Sequence, residues 1–245
     1  MSQPSGERLA RMTRTVVVRA AALAGRVRPD ELAAVLYRSG GTAVDPRQDP
    51  RLPRYLTDRA DRSSPALAPY ERSRTEHWNA WTAPGADASA LVHKVYVSPT
   101  VAGLPTALPV VFATAAALGV PSWKVGADAA GLHRADKIVL YLPSAGRADA
   151  AAQALAGVLD GLDPQGVPFT GQVGATGIVS RGRDHGRESW RAVLCRAVAG
   201  ALDVHRARLG PDAPAGLVAD AALDALADTY DVTSWQPGAL EQVPA

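Results

Sequence analysis

Lysine is the rare cation of this sequence. Of 26 lysines and arginines only Lys94, Lys124 and Lys137 are lysine, and they cluster between positions 94 and 137. Arginine serves a solvated surface as well as lysine does. Only lysine can lose its proton near neutral pH, when burial or neighbouring cations lower a pKa that starts near 10.4. The cluster therefore points to proton-transfer chemistry. Around it stand Tyr96, Arg134, Tyr141 and the pair Arg181 and Arg183. Such a basic and phenolic set suits a phosphorylated side chain, which carries about −1.5 to −2 charges and three acceptor oxygens. Arginine grips those oxygens as a fork, and lysine supplies a compact charge. Arg181 and Arg183 also have carboxylates close by in sequence, Asp184 and Glu188, that could hold them in a solvated loop instead.

The elements that must position these groups can be read from pattern. Residues 91–97 read as a strand whose alternation sends Lys94 and Tyr96 to one face and His93, Val95 and Val97 to the other. SWKVG makes a second strand around Lys124. KIVLYLP makes a third, with Lys137, Val139 and Tyr141 on one face, and TGIVS a fourth, followed by the polar run RGRDHGRES. Helices are expected over about 5–25, 29–38, 106–118, 148–159, 188–209 and 216–229; Pro109 is tolerable only in the first turn of its helix. Residues 42–88, rich in Pro, Arg, Asp and Ser but carrying Tyr55, Tyr70, Trp78 and Trp81, read as a long ordered loop. The fold class is α+β: a small mixed or antiparallel sheet flanked by helices, with helical N- and C-terminal segments. The chain divides into residues 1–88, helices and loop packed on the core, and residues 89–245, the core with its C-terminal helices.

Composition narrows the function. With 245 residues, 47% hydrophobic and 20% charged, the sequence suits a globular protein, and a net charge of +2 argues against general nucleic-acid binding. The one cysteine, Cys195, lies in an apolar helical pattern and reads as a core residue. No apolar run is long enough to span a membrane, arginines interrupt the N-terminal apolar stretch, and a cytoplasmic location is expected. GxGxxG after the first strand, a Walker loop, HExxH and GxSxG are all missing.

The runs HKVYVSPT, WKVGADAAGLHRADKIVLY and GVPFTGQVGATGIVSRGRD resemble the phosphothreonine lyase type of domain. That domain occurs in bacterial type III effectors and as the lyase part of class III and IV lanthipeptide synthetases. The likeness is closer to the stand-alone, effector-like lyases of class V lanthipeptide and related clusters, and covers roughly residues 90–185. It implies β-elimination of phosphate from phosphoserine or phosphothreonine in a precursor peptide, giving dehydroalanine or dehydrobutyrine without metal or organic cofactor. It further implies a separate Ser/Thr kinase and a cyclase as partners. By position, Lys124 matches the general base, Lys94 a lysine that binds phosphate and stabilises the enolate, and Arg134 a phosphate ligand. Arg181 or Arg183 matches another such ligand, and Lys137 and Tyr141 complete the phosphate-binding set. Where the effectors carry Lys-x-His, with histidine as the acid, this chain has Tyr96. The acid is thus Tyr96, Tyr141 or a histidine such as His185. The missing histidine sustains a second reading, a non-catalytic phosphopeptide-binding subunit of a peptide-modifying complex. A third is an effector directed at phosphorylated host proteins.

Overall fold

The computed structural model describes residues 7–44, 49, 51–62, 65–184, 188–232 and 235–237. Its helices are α1 (Glu7–Ala21), α2 (Pro29–Arg38), α3 (Leu52–Arg62), α4 (Leu104–Ala117), α5 (Ala129–His133), α6 (Ala145–Val158), α7 (Trp190–Leu209) and α8 (Ala215–Ala227). Between them run β1 (Glu71–Arg74), β2 (Trp78–Thr82), β3 (His93–Val97), β4 (Ser122–Gly126), β5 (Ile138–Leu142), β6 (Gly171–Val173) and β7 (Val179–Arg183). These seven strands form one antiparallel sheet in the order β1-β2-β4-β5-β3-β7-β6. A two-residue pair, β8 (Tyr230–Asp231) with β9 (Gln236–Pro237), follows α8. The architecture is α+β, as the sequence pattern implies.

The alternation of apolar and polar residues decides which face is covered. Val95, Val97, Trp123, Val125, Ile138, Leu140, Leu142 and Val179 point into the main core, where α3, α4 and α6 lie against the sheet. Trp81, Phe112, Trp123 and Tyr70 interlock there, with ring centroids 4.6–6.2 Å apart. A second core joins α1, α2, α7 and α8 through Val17, Leu32, Leu36, Leu194, Val198, Leu202 and Val218. Cys195 is buried in it, and burial pushes its thiol up to about 12. Both cores draw residues from either side of residue 88.

Three stretches differ from expectation. Residues 42–88 hold α3 and the β1–β2 hairpin. α3 buries Pro53, Leu56, Thr57 and Ala60, one narrow stripe at helical spacing on an otherwise charged segment, and β1 is exposed throughout. α4 starts at Leu104, which places Pro109 in its second turn. The complete burial of Leu104, Leu108, Val111 and Phe112, roughly 2 kcal/mol each, outweighs the hydrogen bond that Pro109 cannot donate. The fourth expected strand lies further along, at Val179–Arg183, and takes in part of the polar run.

The opposite face of the sheet carries Lys94, Tyr96, Lys124, Val139 and Tyr141, because Lys94 pairs with Tyr141, Tyr96 with Val139 and Lys124 with Val139. The helical layer covers its β6–β7 end, where Leu9 N–H donates to Gln172 Oε1 and Phe169 N–H to Thr13 Oγ1. Tyr96 lies over Gly182, where a Cβ would come within 3.0 Å of Cε2 of the ring.

Candidate active site

Strands β2, β4, β5 and β3, with the residue that ends α5, assemble a row in which cations and aromatic rings alternate. The Arg134 guanidinium stands 5.3 Å from the centroid of Trp78, and Lys124 Nζ stands 4.1 Å from the same ring. Tyr141 follows, 5.5 Å from Lys124 Nζ and 5.3 Å from Lys94 Nζ. Lys94 closes the row with an ion pair of 2.5 Å to Asp184 Oδ2. Register explains the order: Trp78 and Ala80 of β2 share a face with Lys124 of β4, and Tyr141 of β5 separates Lys124 from Lys94 of β3.

Lys124 differs from the other cations in this row. Among the described residues no hydrogen bond or ion pair holds its Nζ, whose contacts are the two rings. Burial lowers its pKa to about 8, helped by the charges of Lys94 and Arg134 and opposed by Asp136 and Asp184. About a tenth of this lysine is therefore a free amine at pH 7, far more than at the ordinary lysine value. Burial raises the hydroxyl pKa of Tyr141, and Asp184 adds to it, so the phenol keeps its proton throughout the neutral range. Tyr96 is raised well above its ordinary value, again first by burial.

Arg134 is held from below by Asp136, which accepts from Nε at 2.8 Å and from Nη2 at 3.1 Å. Asp136 also accepts from Nη1 of Arg191 on α7 at 2.9 Å. Arg191 is 1% exposed, and its remaining nitrogens donate to Pro168 O and Tyr37 O. Burial pushes the Asp136 carboxyl up, but the Arg191 charge and the Arg134 hydrogen bond more than offset this and hold it at about 2. An ion pair thus fastens the helical layer to the floor of the site.

The structure brings together Lys94, Lys124, Arg134 and Tyr141, with Tyr96 beside them. Tyr96 is 3% exposed and packs with Val139, Val167 and Ala135. Lys137 lies completely buried beneath, where Nζ donates to Gln165 Oε1 at 2.7 Å, Pro99 O at 3.0 Å and Ser98 Oγ at 3.4 Å. Burial lowers its pKa to about 7. Its three acceptors lie within the fold, so it braces the site from inside; Gln165 carries the brace on to Gly40 O and His133 O. Arg181 and Arg183 do not join the row. Arg181 pairs with Val95 and Arg183 with His93 in register, which sends both to the other face, and Arg181 Nη1 meets Asp149 on α6. His185 lies outside the described residues.

Four contributors escaped sequence reading. Asp136 sits inside the Arg-x-Asp-Lys run and pairs with Arg134, and Asp184, adjacent in sequence to the arginine pair, pairs with Lys94 instead. Trp78 lay in a segment read as loop. Arg191 offered a signal: it shares the apolar stripe of Leu194, Cys195 and Val198, where a buried arginine requires a partner. Among the described residues no group of three or more His, Cys, Asp and Glu could hold a metal ion, and no helix is long and apolar enough to cross a membrane.

No protein-family model matches the chain, and no curated protein matches it significantly. Solved structures do. The effector protein from Pseudomonas syringae pv. syringae strain 61 superimposes with a TM-score of 0.59 at 13% identity, over 96% of this chain and 99% of that one. The effector from P. syringae pv. tomato strain DC3000 gives 0.55 at 12% identity, over 94% and 98%. This chain shares their fold. A phosphothreonine lyase effector, VirA (SpvC) from Chromobacterium violaceum, overlaps 49% of this chain and 70% of its own, with a TM-score of 0.35 at 17% identity.

Proposed function

We propose that the chain is a phospho-Ser/Thr lyase, which eliminates phosphate from a precursor peptide to leave dehydroalanine or dehydrobutyrine during maturation of a peptide natural product. A separate kinase would supply the phosphorylated peptide, and a cyclase would consume the electrophilic alkene. The observation that carries the reading is the Lys124 amine, without a hydrogen-bond or ion-pair partner among the described residues, with its pKa lowered to about 8, set between two rings and flanked by Lys94 and Arg134. The sequence resemblance independently points to the same residue as base.

In this reading Lys124 Nζ takes the α-proton of the phosphorylated residue. The released electron pair forms the Cα–Cβ double bond as the Cβ–O bond breaks, and inorganic phosphate departs. An α-proton of a peptide is a poor acid, so the charge developing on the carbonyl oxygen must be neutralised, and in this reading Lys94 does so. Arg134 takes the phosphate oxygens. Tyr141 donates to the leaving oxygen, since its ring lies between the two lysines and it lines a cleft with Asp184 and Ser122, whereas Tyr96 is packed into the floor. Incubation with phosphoserine peptides decides the matter: loss of phosphoric acid by mass spectrometry supports the lyase, and binding without loss supports a silent phosphopeptide-binding subunit.

Two further outcomes are expected. Tyr141→Phe lowers single-turnover elimination by about 10²-fold, the usual cost of removing a donor aimed at developing charge, while Tyr96→Phe stays within about twofold. The reverse pattern would return the acid to Tyr96. In addition, kcat/KM rises tenfold per pH unit below about 8 and then levels, because it reports the free enzyme's base, and the tyrosine donor brings no fall at neutral pH. The kcat profile moves to higher pH, since a bound phosphate dianion favours protonated Lys124. A bell with an acid limb near the ordinary histidine value would contradict a tyrosine donor.

A further inference from the structure

Beyond Arg134, at the end of the row away from Lys94, a cleft of about 530 Å³ opens between the C-terminal end of α2 and the short helix α5. Tyr37, Ala43, Val44 and Ala130 form its apolar walls, with Arg134 at the inner end. At the rim Asp128 and His77 face each other, His77 Nδ1 lying 3.5 Å from Asp128 Oδ2. Neither the base nor the tyrosine donor uses this space. It is joined to the row through Arg134 and Asp136, which line it directly.

We infer that this cleft is a peptide subsite, which takes an apolar side chain adjoining the phosphorylated residue. The inference rests on the phosphopeptide reading and adds to it a sequence preference. Charge fixes the position: the phosphate belongs at Arg134, Lys124 and Lys94, so whichever arm of the peptide leaves it past Arg134 enters the cleft. The walls present alkyl groups and the Tyr37 ring, and covering them with one leucine-sized side chain is worth about tenfold in affinity or more. The Asp128 carboxylate at the rim, 42% exposed, disfavours a second acidic group there.

Filling the cleft tests this. Ala130→Phe on α5 and Val44→Trp on the segment after α2 alter two exposed positions on separate elements. Binding is read by fluorescence anisotropy with a short labelled phosphoserine peptide carrying leucine on both sides, and with inorganic phosphate as competitor. Each substitution is expected to weaken the peptide about tenfold and leave phosphate competition unchanged. In the unsubstituted protein, aspartates in place of the leucines produce a similar loss. Unchanged peptide affinity in either folded variant overturns the inference, as does an equal loss for phosphate, which would place the effect on the cation row. Failure of the lyase reading shows up separately, as peptide binding that follows this pattern with no elimination product.

Discussion

Lys124→Arg is expected to lower elimination by roughly 10²–10⁴-fold, the range a positioned general base contributes, while phosphopeptide affinity stays within a few-fold. The arginine keeps a cation between Trp78 and Tyr141 and so preserves the electrostatic attraction for phosphate. What it loses is the ability to exist as a free amine near neutral pH. Single-turnover rates at saturating peptide, beside a binding measurement, separate the two effects. Near-normal turnover would remove Lys124 as base, and an equal fall in affinity would make it a phosphate ligand.

The second large effect concerns stability. Asp136→Asn leaves the Arg191 guanidinium, 1% exposed, without its anionic partner, and losing one member of a buried pair costs about 3–5 kcal/mol. For a chain of this size that lowers Tm by roughly 10 °C. The double variant Asp136→Asn with Arg191→Met should recover part of the loss, because the fully buried Arg191 charge is then gone and only the partly exposed Arg134 lacks its partner. Acid acts in the same direction as the single substitution. The Asp136 carboxyl is held at about 2 against an ordinary 3.8, so its contribution of about 2 kcal/mol is present above pH 3.8 and disappears as pH falls toward 2. Thermal melts across that range, on wild type and Asp136→Asn, check the sign: the variant's acid dependence should be the shallower.

The central strands were legible because each alternates strictly. HKVYV, SWKVG and IVLYL each send apolar residues to α4 and α6 and leave lysine or tyrosine on the other side, so the row at Lys94, Lys124 and Tyr141 follows from local pattern plus antiparallel register. Arg181 misled for a related reason. VSRGR is a strand with a polar sequence, and its face depends on pairing with β3, which no local periodicity reveals; Asp149 awaits it from a helix 32 residues earlier. α3 was hidden because its apolar stripe is narrow and the rest of its surface charged. Partners such as Asp136 with Arg191 lie 55 positions apart and become visible only when α7 is placed against the sheet.

The row of alternating rings and cations has an optical consequence. Of the five tryptophans, Trp81 and Trp123 lie in the main core and Trp190 and Trp235 in the helical one, whereas Trp78 has the Lys124 nitrogen 4.1 Å from its ring. A full positive charge that comes and goes at that distance perturbs the excited-state dipole of an indole. The protein therefore contains its own reporter dye. Titrating its emission through about pH 8 reads the ionisation of the amine directly, without substrate, label or turnover, and Trp78→Phe supplies the blank.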